Sequence, residues 1–173
     1  LNDGVKELRK ENGSFFVSTE GGKELESKVV IIASGAEPRR LNVPGETEHL
    51  GRGVSYCTTC DGPLFNQKDV AVIGGGDAGF EAALFLSNYA NKIYILEYGE
   101  EIRAGMDNQE KAKAIEKIQI ITSAELKEIK GESFVDAIVF KDRKTGEDKT
   151  LDVQGVFIQA GYQPATSFLG DLA

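Results

Sequence analysis

The sequence has no tryptophan, one histidine, one methionine and two cysteines in 173 residues, and each scarcity removes a class of function. A secreted disulfide scaffold needs several cysteine pairs, so two cysteines exclude it. A structural zinc needs four ligands, whereas Cys57, Cys60 and His49 supply at most three, so no metal is assigned. No apolar run approaches the roughly 20 residues that cross a bilayer, and Leu1-Asn2-Asp3-Gly4 does not open a basic-then-apolar signal sequence. No membrane association is expected, and a cytoplasmic location is the default. Basic runs are missing too. With 20 Lys and Arg against 28 Asp and Glu the net charge is −8, which argues against nucleic acid or an anionic membrane surface as partner. The chain does not begin with methionine, its only one being Met106, and it is therefore expected to be a fragment.

What is present suits a globular α/β chain: 40% of the residues are apolar, enough to fill a core. Residues 14–19 and 28–33 are short runs rich in Phe, Val and Ile on either side of Gly21-Gly22, the pattern of strands in a meander. Pro38, Pro44 and Gly45 punctuate an aperiodic stretch, and a domain boundary is expected between about residues 42 and 56. Residues 69–73 read as a buried strand, 77–89 as a helix and 92–96 as a second strand, which makes a βαβ unit. Residues 108–117 read as another helix and 118–122 as another strand. Residues 125–129, 135–140, 150–153 and 156–160 read as further strands, with a turn at Thr145-Gly146. The expected class is α/β: a Rossmann-like parallel sheet with an appended antiparallel β-meander.

Between the first strand and helix of the βαβ unit lies Gly74-Gly75-Gly76-Asp77-Ala78-Gly79, which fills the G-x-G-x-x-G template at Gly74, Gly76 and Gly79. The first glycine permits a tight turn, the second lets a pyrophosphate approach the backbone, and the third lets helix and strand pack closely. Glu97 closes the second strand 23 residues after Gly74, near the spacing at which a carboxylate accepts hydrogen bonds from an adenosine ribose. These residues are the candidate dinucleotide site.

Cys57 and Cys60 flank two residues, a spacing that lets two sulfurs close a disulfide with little backbone motion. Asp61 could hand a proton to a leaving thiolate and could also serve as the N-cap of a helix, two compatible roles. Cys60 precedes Gly74 by 14 residues. A dithiol this close to a dinucleotide fold implies electrons moving from a nicotinamide to a disulfide, with a flavin as the usual two-electron intermediary.

Cys57-Thr58-Thr59-Cys60-Asp61-Gly62-Pro63-Leu64-Phe65 followed by Val70-Ala71-Val72-Ile73-Gly74-Gly75-Gly76-Asp77 resembles the low-molecular-weight thioredoxin reductases and the related flavoprotein subunit of alkyl hydroperoxide reductase. The resemblance extends from Ala33-Ser34-Gly35-Ala36 and Val43-Pro44-Gly45-Glu46 to Gly161-Tyr162-Gln163-Pro164. It implies that residues 1–54 are the end of a flavin-domain segment with its connection, and residues 55–173 the nicotinamide-dinucleotide domain with its redox pair. It further implies that Cys60 faces the flavin, that Cys57 attacks the substrate disulfide, that Asp61 is the acid, and that Gly35, Tyr98, Arg103 and Gly161 join the glycine loop and Glu97 in cofactor binding. In place of the basic cluster of thioredoxin reductases stands Leu96-Glu97-Tyr98-Gly99-Glu100-Glu101-Ile102-Arg103-Ala104, which retains only Arg103. NADH is therefore expected over NADPH, against the competing possibility that Arg103 or a lysine such as Lys92 clamps a 2′-phosphate.

The family's N-terminal flavin loop and C-terminal flavin motif have no counterpart here, so FAD is expected in the intact protein but not on this chain. The implied partner is a thioredoxin-like or peroxiredoxin-system protein, and the implied intact assembly a homodimer. A reading from another class is a nucleotide-binding domain that uses its cysteines as a redox sensor without turnover.

Overall fold

The structure is a computed structural model and describes residues 2–172. The chain forms two compact units, residues 2–37 with 162–172, and residues 38–161. The division falls at 37/38 and 161/162 rather than at the 54/55 boundary the sequence suggested. Local packing explains the difference. Leu41 and Val43 pack on the core of the second unit, the Pro44 carbonyl accepts the Ile129 N–H, and a Cβ on Gly45 would stand 1.9 Å from the Ile129 carbonyl oxygen.

In the first unit β1 (Val5–Glu11), β2 (Ser14–Thr19) and β3 (Glu24–Ser27) form an antiparallel sheet in the order β1-β2-β3. β2 is where the apolar pattern placed it. β1 carried no such signal, because only Leu8 among its residues is buried. Its backbone pairs with β2, and Arg9 bridges Glu11 and Glu24. The strand expected over residues 28–33 is not formed. These residues run irregularly to β4 (Ala36–Pro38), and Ile31 is 88% exposed. An apolar run becomes a strand only beside a neighbour that takes its backbone hydrogen bonds, and the β2–β3 ladder stops at Ser27.

The second unit comprises β5 (Val54–Ser55), α1 (Thr58–Asp61), β6 (Asp69–Ile73), α2 (Asp77–Leu86), β7 (Lys92–Leu96), α3 (Met106–Lys113), β8 (Ile118–Ile121), β9 (Ala124–Gly131), β10 (Val135–Asp142), β11 (Asp148–Asp152) and β12 (Gly155–Ile158). β5-β12-β6-β7-β8 is a parallel sheet, and β11-β10-β9 an antiparallel meander. The class is the expected one.

Strand alternation divides the core between two faces. Val70, Val72, Ile93, Ile95 and Phe157 pack with Phe80, Ala83 and Leu86 of α2 and Ala112 of α3. Ala71, Ile73, Val156 and Ile158 pack instead with Leu126, Ile138 and Phe140 of the meander. Buried on both faces, these strands read as continuous apolar runs rather than alternating ones. α2 ends three residues short of the expected helix, because the chain turns after Leu86 to bury Ala90.

Past the second unit, β13 (Tyr162–Pro164) pairs with β4. Among the described residues no helix is long and apolar enough to cross a membrane.

Candidate nucleotide crevice and redox pair

The glycine loop leaves the carboxyl end of β6, and its glycines have distinct tasks. Gly74 has φ +129°, and a Cβ there would lie 2.3 Å from the Gln159 carbonyl oxygen. A Cβ on Gly79 would lie 1.9 Å from the Gly74 oxygen, so only glycine lets α2 start this close to β6. Gly76, the residue before α2, would place a Cβ in open space, with nothing within 4 Å. It has no side-chain cap, and α2 therefore presents unpaired N–H groups to the same opening. That opening is a cavity of about 640 Å³ whose wall includes Gly74, Gly75, Gly76, Asp77, Ala78, Glu97, Tyr98, Arg103, Gln159 and Gly161.

The Gly75 peptide is held at both ends. Its N–H donates to Glu97 Oε2 at 2.6 Å, and its carbonyl accepts the N–H groups of Arg103 and Ala104 at 3.2 and 3.1 Å. Glu97 Oε1 accepts the Gly99 N–H at 2.7 Å. The half-buried carboxylate at the end of β7 is thus fixed by two backbone donors at the cavity wall.

Asp77 is engaged elsewhere. Its carboxylate accepts from the Gly105 N–H at 2.8 Å and Asn108 Nδ2 at 3.1 Å, and these bonds, the Gly105 one foremost, hold its pKa below the ordinary carboxylate value. It ties the start of α3 to the start of α2. Tyr98 carries the Arg143 guanidinium 4.0 Å from its ring centre, and Arg143 also donates to the Tyr98 carbonyl at 2.9 Å. Arg143 follows β10 in the meander and carries no motif, so sequence spacing did not signal it. Lys92 opens β7 while Glu97 follows its other end, five residues on, roughly 16 Å at strand rise. It does not line the cavity.

Gly35 and Gly161 have φ of +75° and +96°, and each faces open space on its Cα. Gly161 lines the cavity, whereas Gly35 does not.

Cys57 and Cys60 are joined in a disulfide with their Cα atoms 5.3 Å apart. Cys57 caps α1, its sulfur accepting the Cys60 N–H at 3.3 Å. Asp61 ends α1 and stands at the N-cap position of the 3₁₀ turn over Gly62–Phe65, where its side chain makes no cap hydrogen bond. Asp61 therefore occupies an N-cap position, as one reading expected, without the carboxylate cap bond that reading implied. Its carboxylate accepts from Ser55 Oγ at 2.6 Å, and Ser55 Oγ accepts the Cys57 N–H at 3.0 Å. The buried Ser55 of β5 therefore links the acid to the cysteine turn.

One residue earlier, the Tyr56 hydroxyl donates to the buried Glu46 carboxylate, which also accepts the N–H groups of Leu41 at 3.0 Å and Asn42 at 2.6 Å. Burial first, then the hydrogen bond and charge of Glu46, push the Tyr56 phenol up to about 12.

Gln159, at the carboxyl end of β12, was also missed. Its signal was a lone polar side chain closing the apolar run Val156-Phe157-Ile158. Its Nε2 donates to Thr58 Oγ1 at 3.2 Å and to the Tyr56 carbonyl at 3.4 Å, so one side chain touches the redox turn and lines the crevice. Among the described residues no group of three or more metal-ligating side chains occurs.

The chain is 42% identical over 165 residues, 95% of its length, to the F subunit of the Staphylococcus aureus alkyl hydroperoxide reductase, and 44% identical over 165 residues to a Bacillus subtilis NADH dehydrogenase. It spans 32% of the length of each of these relatives. Its fold is similar to the Lactococcus lactis thioredoxin reductase in its FR conformation, with a TM-score of 0.86 and 37% identity over 99% of this chain and 56% of that one. It is also similar to the thioredoxin reductase of T. acidophilum, with a TM-score of 0.83 and 39% identity over 96% of this chain and 55% of that one. Residues 1–173 match the family described as pyridine nucleotide-disulphide oxidoreductase, and the chain belongs to that family.

Proposed function

We propose that this chain carries the pyridine-nucleotide and disulfide-exchange portion of an oxidoreductase that passes electrons from NADH through FAD to Cys57–Cys60 and on to a disulfide of a thioredoxin-like protein. On this reading residues 38–161 are the nucleotide-binding unit, and residues 2–37 with 162–172 belong to the flavin side. The observation that carries it is the joining, through Gln159, of the Cys57–Cys60 turn to a glycine-lined crevice that holds an oriented acid.

Gly76 and the first N–H groups of α2 receive the pyrophosphate, and Glu97 receives the adenosine ribose hydroxyls on lone pairs left free by Gly75 and Gly99. NADH is the preferred nucleotide, since a 2′-phosphate would bring like charge against the fixed Glu97 carboxylate. Tyr98, Arg103 and Gly161 line the same crevice. A flavin supplies the two-electron relay between nicotinamide and disulfide in this scheme. Among the described residues no second glycine loop precedes a helix, and none is assigned to hold the flavin.

Reduction adds two electrons and two protons to the disulfide, one proton arriving with the hydride and one from solvent. The Cys57 thiolate then attacks the partner disulfide, forming a mixed disulfide and releasing a partner thiolate. Cys60 attacks Cys57 in turn, which restores the intramolecular disulfide and frees the second partner thiol. Asp61, oriented by Ser55, protonates the departing thiolate.

A peroxiredoxin-system protein is the second candidate partner, favoured by Glu97 and Tyr98 standing where thioredoxin reductases carry basic residues. A Cys60→Ser variant tests the reading, because it leaves Cys57 to trap its partner. A thioredoxin-fold adduct released by dithiothreitol supports the first partner, and a peroxiredoxin-system adduct supports the second. Failure to form an adduct with either purified protein contradicts both.

A further inference from the structure

The parallel sheet runs outward from β6 through β7 and β8, and from β6 through β12 and β5 on the other side. Ligands of such sheets settle at the carboxyl ends of the two strands where the order reverses, here β6 and β12. Glu97 bounds the cavity on the β7 side of the glycine loop and Gln159 on the β12 side. A dinucleotide with its pyrophosphate on Gly76 and its adenosine ribose at Glu97 extends its second base toward Gln159.

Gln159 is held firmly enough to read that base. Its backbone N–H donates to the Ile73 carbonyl at 2.8 Å, and its own carbonyl lies against Gly74, where no Cβ fits. On the side chain, the Tyr56 carbonyl can only accept, so the atom facing it is the NH2 nitrogen, which also donates to Thr58 Oγ1. Both amide hydrogens are then used. The carbonyl oxygen Oε1 has no hydrogen-bond partner among the described residues. Gln159 lines the cavity, so this acceptor is left free for a donor on the ligand, and the carboxamide NH2 of a nicotinamide is such a donor.

We propose that Gln159 is the residue that recognises the nicotinamide carboxamide, its Oε1 accepting from the ligand NH2. The same side chain thereby ties the nicotinamide end of the crevice to the Tyr56–Thr58 backbone that flanks Cys57. This assignment rests on the pyridine-nucleotide reading of the crevice and names the residue that distinguishes one end of the ligand.

The test is calorimetric titration of the chain with three probes: NAD⁺, ADP-ribose, which lacks the nicotinamide, and nicotinic acid adenine dinucleotide, which presents a carboxylate in place of the carboxamide. The parent chain is expected to bind NAD⁺ at least fivefold more tightly than the acid analogue, because the acid sets acceptor against acceptor. Gln159→Ala is expected to weaken NAD⁺ about fivefold, to collapse the ratio between NAD⁺ and the acid analogue toward one, and to leave ADP-ribose within twofold. Unchanged ADP-ribose binding also reports an intact fold. Equal binding of NAD⁺ and the acid analogue by the parent chain overturns the inference even if the variant does not fold, and so does a ratio that survives in Gln159→Ala. Failure of ADP-ribose to bind the parent chain removes the pyridine-nucleotide reading itself, a result distinguishable from the other two.

Discussion

The Glu97 carboxylate and the Gly75 amide meet at 2.6 Å, a contact that only glycine allows, since a Cβ on residue 75 would stand 2.7 Å from the same carboxylate oxygen. With Gly99 on its second oxygen, Glu97 is oriented before any ligand arrives. A carboxylate has about four acceptor positions, so two backbone donors leave room for two ribose hydroxyls. The same fixation keeps the charge from swinging away from a 2′-phosphate.

The glycines of the loop should separate folding from binding. Gly79→Ala drives a methyl into the Gly74 carbonyl oxygen. It is expected to destabilise the chain by about 3 kcal/mol, near the top of the range for overpacking, lowering Tm by roughly 6–12 °C. Gly76→Ala meets open space at an ordinary φ of −86°. Its Tm is expected to stay within about 2 °C of the parent, while nucleotide affinity falls at least tenfold because the methyl stands where the pyrophosphate must come. Differential scanning calorimetry beside a nucleotide titration separates the two.

For the redox pair, Asp61→Asn should slow reduction of the Cys57–Cys60 disulfide by dithiothreitol at pH 7 by on the order of 100-fold, the lower end of general acid contributions. Ser55→Ala removes the 2.6 Å donor that orients the acid and should cost roughly 3- to 10-fold. Alkylation followed by mass spectrometry counts the thiols released with time. Parent-like rates in both variants would remove Asp61 from the exchange chemistry.

Tyr56 gives a pH-dependent signature. Its phenol is raised to about 12, against an ordinary value near 10, so the neutral, hydrogen-bonded form is the stabilised one. That contribution is complete below the unfolded value near 10 and is lost as pH rises through about 12. In a spectroscopic titration a tyrosine ionisation near pH 12 is expected, and Tyr56→Phe should delete that step. A parent titration complete by pH 11 would contradict the buried Glu46 contact.

The parts of the fold legible in the sequence are those where local pattern and tertiary burial agree. β6 and β7 were readable because doubly buried parallel strands are short apolar runs, and because the glycines between them have few other uses. Residues 28–33 show the limit of that rule: an apolar run states that burial is favourable but not which neighbour will provide it. β1 fails in the opposite direction, being charged along its length and made a strand by β2.

At the site, spacing brought Glu97 to the glycine loop and Cys57 to Cys60. It could not say that Glu97 would bond Gly75, that Asp77 would turn to α3, or that Ser55 would hold Asp61. Those are choices among hydrogen-bond partners made by the packed backbone. Arg143 and Gln159 were beyond motif reading for a related reason, since Arg143 meets Tyr98 from 45 residues away and Gln159 meets Gly74 from more than 80 residues away.

Titrating the chain with NADH and NADPH under identical salt shows whether the crevice binds a pyridine nucleotide and whether its fixed acid selects the unphosphorylated ribose. A 2′-phosphate 4 Å from Glu97 costs on the order of 4 kcal/mol per charge pair at an effective dielectric of 20, and solvent relaxation reduces that figure. A remainder of about 1.4 kcal/mol is tenfold. NADH is expected to bind saturably and at least tenfold more tightly than NADPH, with Glu97→Gln narrowing the gap. Equal or tighter binding of NADPH, or no binding of either nucleotide, would contradict that expectation.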